Sequence, residues 1–224
     1  MSIFAITGAS QGIGCAAARV ADAQGLTVHG CARRPERCLR GFGYAMARVD
    51  LSDPAQAERW VRSVPVQAGQ REYWLINHGI LGPRAPLVQT PVADFAAVLQ
   101  TNAVGSYAVL QAILTHRSGP RVVALMSSSV GRHGRAHWGA YAASKAVVES
   151  LVQTLADETK PDQLIAFAFN PGGTATAMRA AAYPQEDPAT LPGAEAVART
   201  LVELMRAAGA GLHGQSLNYR DLIP

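Results

Sequence analysis

The stretch Ile3 to Gly14, IFAITGASQGIG, decides the reading of the fold. A mostly apolar, β-favouring run from Ile3 to Thr7 passes through Gly8 and enters a helical pattern at Gly12. Ile13, Ala17, Val20 and Gln24 follow at helical spacing, and Gly25 stands where the helix should stop. A strand that turns this tightly into a helix presents bare backbone N–H groups and the positive end of a helix dipole at one point. Such a turn suits a pyrophosphate, with Gly8, Gly12 and Gly14 letting the backbone come close.

The same alternation continues outward from this unit. Thr27 to Cys31, Ala45 to Asp50, Tyr73 to Asn77, Arg121 to Ser127 and Leu164 to Phe169 read as strands, with Gln215 to Asn218 as a last one. Helical patterns cover a stretch capped by Asp53 and opened by Pro54, then Val92 to Thr115, Ala140 to Glu158 and Ala194 to Ala207. This order predicts an α/β fold, a doubly wound parallel sheet with helices on both faces. No shift in composition interrupts it, so residues 1–224 are expected to form a single dinucleotide-binding domain that includes the catalytic site.

Composition agrees. The chain is 49% hydrophobic and 16% charged, against a typical charged share of about 25%, which excludes a disordered or coiled-coil protein. Its net charge of +4 comes from scattered residues without a basic stripe, so no nucleic-acid partner is expected. No apolar run approaches the roughly 18 residues of a membrane span, and no leader pattern precedes the first strand, so a cytoplasmic protein without a membrane partner is expected. Cys15, Cys31 and Cys38 form no CxxC pair and are odd in number, as in a reduced protein that uses them as small apolar residues. His133 and His137 lack the further ligands that a metal site needs, and none is expected.

Tyr141 and Lys145 carry the chemistry. Four residues apart on one helix, they share a face, and a nearby ammonium lowers the pKa of a phenol from its usual value of about 10. Of the 20 cationic residues only Lys145 and Lys160 are lysines, so the choice of Lys at 145 calls for a reason. A compact ammonium on a flexible stem supplies one, since it can reach both a ribose hydroxyl and the surroundings of the phenol. Asn102 and Gly105 are poor helix formers in the middle of a helical stretch, and a local break that frees a carbonyl for water would justify them. The end of the second strand, VHGCARR from Val28 to Arg34, holds no carboxylate for the ribose of NAD. Ala32 is followed by Arg33 and Arg34, which favours NADP (NADPH) over NAD.

TGASQGIG together with YAASK at Tyr141 to Lys145 resembles the short-chain dehydrogenases/reductases, single-domain Rossmann enzymes. The resemblance extends over the chain through Asp50 and Leu51, NHG at Asn77 to Gly79 where the family usually has NAG, and Asn102. It continues through SSSVG at Ser127 to Gly131 and NPGGTAT at Asn170 to Thr176, followed by Met178. It implies an NADP(H)-dependent oxidoreductase that interconverts a carbonyl and an alcohol by hydride transfer, with Ser128, Tyr141, Lys145 and Asn102 catalytic. Among the three serines, Ser128 lies thirteen residues before the tyrosine and three before Gly131, as in the family. Carried over in the same way, the cofactor would meet Gly8, Ser10, Gly12, Ile13, Gly14, Arg33, Arg34, Asp50, Leu51, Asn77, Gly79, Tyr141, Lys145, Pro171, Gly172, Thr174 and Thr176. An NADP-binding sensor of the same fold with little turnover is the alternative.

Two departures and two surfaces add expectations. His78 replaces a small residue and would crowd or hydrogen-bond the cofactor side, with a neutral structural role favoured. Gly173 and Thr174 stand where a bulky apolar pair is common and would loosen the nicotinamide side of the pocket. Arg132, His133, Arg135 and His137, joined by Arg179, would make a basic rim that suits an acidic small-molecule substrate or carrier. Ala142, Ala146, Val147, Val148, Leu151 and Val152 exceed what one sheet face needs, and the family pairs this helix and that of Asn102 across a two-fold axis, so a homodimer or homotetramer is expected.

Overall fold

Seven strands lie side by side in the computed structural model, which describes residues 1–38 and 44–223, and the central ones are rich in β-branched and aromatic residues. They are β1 (Ile3–Thr7), β2 (Thr27–Ala32), β3 (Ala45–Arg48), β4 (Glu72–Ile76), β5 (Arg121–Met126), β6 (Leu164–Asn170) and β7 (Ser216–Asn218). All pair in parallel, in the order β3-β2-β1-β4-β5-β6-β7. The helices are α1 (Gly12–Ala23), α2 (Pro54–Ser63), α3 (Val92–Leu99), α4 (Gly105–His116), α5 (Ser129–Arg132), α6 (Gly139–Glu158), α7 (Ala177–Ala182) and α8 (Ala194–Arg206). The expected strands and helices are present, with ends moved by one or two residues. β3 stops short of Asp50, whose backbone N–H donates to Gln56 at 3.0 Å instead of to a neighbouring strand.

Successive side chains of a strand point to opposite faces, so both faces of the sheet are packed. Phe4, Ile6, Leu75, Val122, Phe167 and Phe169 meet α1 and α8 on one face. On the other, Ile3, Ala5, Trp74, Val123, Leu125 and Ala166 meet α2, α4 and α6. The buried Arg117 and Glu72 pair at the end of the sheet away from the strand C-termini, and Trp74 Nε1 donates to the same carboxylate at 2.9 Å.

The long helix expected from Val92 is interrupted where Asn102 and Gly105 had marked a break. Residues Gln100–Val104 form a π-helical turn between α3 and α4. Asn102 is fully buried there, its carbonyl accepting from the Ser106 hydroxyl at 2.6 Å. One expectation is corrected here. By length and composition Val92–His116 is apolar enough to cross a membrane, although 56% of its most apolar window is buried in the fold.

The cysteines correct a second expectation. Cys15, in the first turns of α1, and Cys38, after β2, form a disulfide with Cα atoms 6.2 Å apart, inside the usual range of about 4.4 to 6.8 Å. They are 23 residues apart in the chain, and only the return of β2 alongside β1 brings them together. Cys31 is the free, buried thiol, and burial pushes its pKa up. Titration in denaturant without reductant should therefore find one thiol per chain, and three after reduction. Cys38→Ser should lower stability by about 3 kcal/mol in urea unfolding under non-reducing conditions, the chain-entropy value for a loop of this size.

Candidate active site

Where a parallel sheet reverses its strand order, the loops at the strand C-termini diverge and leave a crevice. The reversal lies between β1 and β4, and a cleft of about 570 Å³ opens there. Gly8, Ser10, Gly12 and Ile13 of the first turn line it. Gly14 lies just behind. A Cβ on it would come within 2.3 Å of the Gly8 carbonyl oxygen and 2.5 Å of Asn77 Nδ2, so α1 can begin so close to β1 only with glycine here. Asn77 Nδ2 in turn donates to the carbonyls of Thr7 and Gly8, both at 3.2 Å, and fixes the turn from β4.

One end of the cleft is cationic. Arg33 and Arg34 line it as expected, and Arg37 and Arg48, which sequence reading did not single out, join them. Arg48 pairs with Glu36 at 3.4 Å and Arg37 donates to Gln11 at 3.2 Å. Among the described residues Arg33 and Arg34 make no side-chain hydrogen bond. Asp50 stays below the usual carboxylate range, first because Ser52 N–H and hydroxyl donate to it at 3.0 and 2.8 Å and further because Arg33 is near. With no acid at the end of β2 and four guanidinium groups around it, this end fits the 2′-phosphate of NADP. The one signal in the sequence for Arg37 and Arg48 was the abundance of arginine.

Ser128, Tyr141 and Lys145 face the same cleft toward its other end. Ser128 stands at the N-cap of α5 in extended conformation, while Ser127, on the opposite side of the strand end, donates to Glu149. Gly131 permits this arrangement, since a Cβ there would lie 2.7 Å from the Lys145 backbone and push α5 off α6. Tyr141 and Lys145 sit on α6 as its spacing required, with Nζ 5.6 Å from the phenol ring centroid. Lys145 is 3% exposed, donates to the Met126 carbonyl at 2.7 Å, and burial brings its pKa down to about 8. The expected lowering of the Tyr141 pKa is reversed: burial pushes the phenol up to about 12. Asn102 lies behind the cleft wall. Its side chain accepts from Ile80 N–H at 2.8 Å and donates to the Ile80 carbonyl at 2.9 Å and to Ser144 at 3.1 Å, binding the π turn to both the segment after β4 and α6.

His78 has the structural role that was favoured for it. One ring nitrogen, Nε2, lies 3.1 Å from the Thr101 carbonyl, which can only accept, so the proton sits there. Nδ1 then accepts from Thr7 Oγ1 at 2.8 Å. Burial and then Lys145 bring the imidazole pKa down to about 3, and the ring is neutral. The basic rim is corrected. Arg132 turns away to Glu149 at 2.9 Å and Asn218 at 2.8 Å, and neither it nor Arg135 lines the cleft. Arg179 does line it, but gives Nε and Nη2 to the two Glu186 oxygens at 2.5 and 2.6 Å. Gly173 does not loosen the wall either, because Leu191 and the Arg179 guanidinium fill the space a side chain would take. Trp138 was not foreseen. It follows His137, which holds the left-handed conformation at φ 70°, and its ring lies 5.6 Å from that of Tyr141.

A family model described as short chain dehydrogenase matches residues 2–187. The chain belongs to the short chain dehydrogenase family. It is similar to the uncharacterized oxidoreductase YciK of Escherichia coli (strain K12), with 35% identity over 84% of this chain and 80% of that one. The NADPH-dependent pterin aldehyde reductase of Arabidopsis thaliana is 28% identical over 75% of this chain and 72% of the other. Among solved structures, a short chain dehydrogenase from Escherichia coli CFT073 complexed with NADPH superimposes with a TM-score of 0.88 at 32% identity, covering 100% of this chain and 97% of that one. As a short chain dehydrogenase, the protein is an NAD(P)-dependent oxidoreductase acting on a CH–OH/C=O pair.

The buried ammonium has a measurable consequence for this dehydrogenase. A lysine whose pKa is about 8 when folded and near 10.5 when unfolded penalises the fold fully below pH 8, and the penalty vanishes as pH rises toward 10.5. Lys145→Met should therefore unfold at higher urea than the wild type at pH 7, by about 2 kcal/mol after allowing for the lost bond to Met126. That advantage should disappear above pH 10.5.

Proposed function

We propose that this short chain dehydrogenase is an NADPH-dependent reductase of a small-molecule carbonyl, with residues 1–224 holding cofactor site and catalytic site in one domain. The observation that carries this reading is one cleft with four arginines at one end and Ser128, Tyr141 and Lys145 toward the other. The bound dinucleotide would supply hydride. Ser128, whose hydroxyl has no hydrogen-bond partner among the described residues, holds the carbonyl oxygen. Tyr141 gives that oxygen a proton. A phenol held near 12 is fully protonated at neutral pH, which is the form that reduction needs. Lys145, with a pKa of about 8, can restore the proton and hold the ribose side, and Asn102 keeps the π turn against α6 so that this supply line stays in place.

The Arg33 and Arg34 side chains favour NADP, and the NADPH complex of the Escherichia coli CFT073 relative and the NADPH dependence of the pterin aldehyde reductase lend support. A homodimer or homotetramer is supported by Val104 at the end of the π turn, Tyr107 and Leu114 on α4, and Val147 on α6, all exposed.

Two variants separate catalysis from cofactor choice. Tyr141→Phe should lower kcat about 100-fold or more while NADPH binding, followed by nucleotide fluorescence, stays nearly unchanged. Arg33→Ala should weaken NADPH about tenfold more than NADH, since only NADPH carries the phosphate. Substantial activity of the phenylalanine variant, or equal losses for both nucleotides, would contradict the respective assignment.

A further inference from the structure

Beyond the catalytic residues, the cleft end next to Ser128 and Tyr141 is walled by Ile80, Leu81, Trp138, Met178 and Ala182. Of the described arginines and lysines near it, only Lys145 and Arg179 line the cleft, and each is held by a partner. Arg84 lies between two rings, 4.3 Å from the Trp138 centroid and 4.9 Å from that of Tyr183, and donates to the Ala182 carbonyl. Arg132 is bound to Glu149, and Lys145 to Met126. His78 is neutral.

Arg179 remains, the arginine of this group that lines both the cleft and the small cavity behind α7. Its guanidinium lies 3.9 Å over the Tyr183 ring and forms a two-pronged pair with Glu186. Both partners are about a quarter exposed, so solvent does not swamp the pairing. A fork-to-fork pair of this kind leaves little net charge for a ligand. Gly173 is part of the arrangement. A Cβ there would sit 3.5 Å from Arg179 Cζ and Nη2 and 3.1 Å from Leu191, so a bulky residue at this place would displace the guanidinium.

We propose that Glu186, acting through Arg179, is a positioning residue for specificity: it withholds the Arg179 charge from the substrate compartment, so that the compartment favours a compact, neutral aromatic or alicyclic carbonyl compound over a carboxylate. The compartment offers flat and aliphatic carbon surface and two hydroxyls for one carbonyl oxygen. A ligand carboxylate would lose its water there and find Arg179 already taken by Glu186, a desolvation with little return. Freed from Glu186, Arg179 would provide a cation. The substrate class rests on the carbonyl-reductase reading, whereas the discrimination against carboxylates concerns binding alone.

The test has a turnover arm and a binding arm, both on the enzyme with its nucleotide. Wild type and Glu186→Gln are assayed with NADPH on 4-(hydroxymethyl)benzaldehyde and 4-carboxybenzaldehyde, which differ mainly in charge. Wild type should show kcat/KM at least tenfold higher for the neutral aldehyde. Glu186→Gln should narrow that gap at least tenfold, chiefly by lowering KM for the carboxylate. In the binding arm, benzamide and benzoate, which are not reduced, are titrated into the NADPH complex by calorimetry. Wild type should bind benzamide and bind benzoate at least tenfold more weakly, and Glu186→Gln should recover benzoate. Equal binding of the two by the wild type overturns the proposal, as does a folded Glu186→Gln protein that leaves benzoate binding and the aldehyde ratio unchanged. If Glu186→Gln does not fold, the wild-type comparison decides alone. Absence of turnover on both aldehydes with the expected binding pattern counts against the carbonyl-reductase reading and leaves the inference about charge supported.

Discussion

The ammonium of Lys145 is buried without a carboxylate, and much of the site is arranged around that constraint. An unpaired buried cation is costly, and here a single carbonyl, that of Met126, receives its hydrogen bond. The result is an amine whose pKa is brought down to about 8, close to where a proton can move either way at physiological pH. Its neighbours conform. His78 is neutral between Thr7 and Thr101, and Tyr141 keeps its proton. Gly131 lets α5 come against the backbone of Lys145 itself.

The two ends of the cleft handle charge in opposite ways. At the end of β2 four arginines gather with Glu36 as the acid paired among them, so positive charge is left for an anionic ligand. Next to Tyr141, the arginines are matched by Glu186 and Glu149 or stacked on aromatic rings. The cleft therefore has one end crowded with arginine and another where the arginines are held by acids and rings. The disulfide from Cys15 to Cys38 ties the first turns of α1 to the segment just after Arg37, so the pyrophosphate turn and the arginine cluster are held to one another.

Much of this was legible in the residues because it depends on local rules. The glycine turn after β1, the alternation of strands and helices and the four-residue step from Tyr141 to Lys145 are properties of short segments, with periods fixed by strand and helix geometry. Asn102 and Gly105 announced the π turn by being poor helix formers. Ser128 was preferred over Ser127 through its spacing to Tyr141 and Gly131, as the family resemblance implied, and Ser127 gives its hydroxyl to Glu149.

What the sequence by itself determined is the doubly wound sheet and the presence of a nucleotide turn and a Tyr–Lys pair, since hydrophobic period and residue spacing suffice for them. Tertiary structure alone decided the rest. Cys15 met Cys38 across 23 residues, Arg117 met Glu72, and Arg132 chose Glu149 over the cleft because folding, not spacing, brought each pair together. The Tyr141 pKa went up instead of down for the same reason. Proximity to a cation can be counted along a helix, but the degree of burial that outweighs it is set by everything packed around the ring.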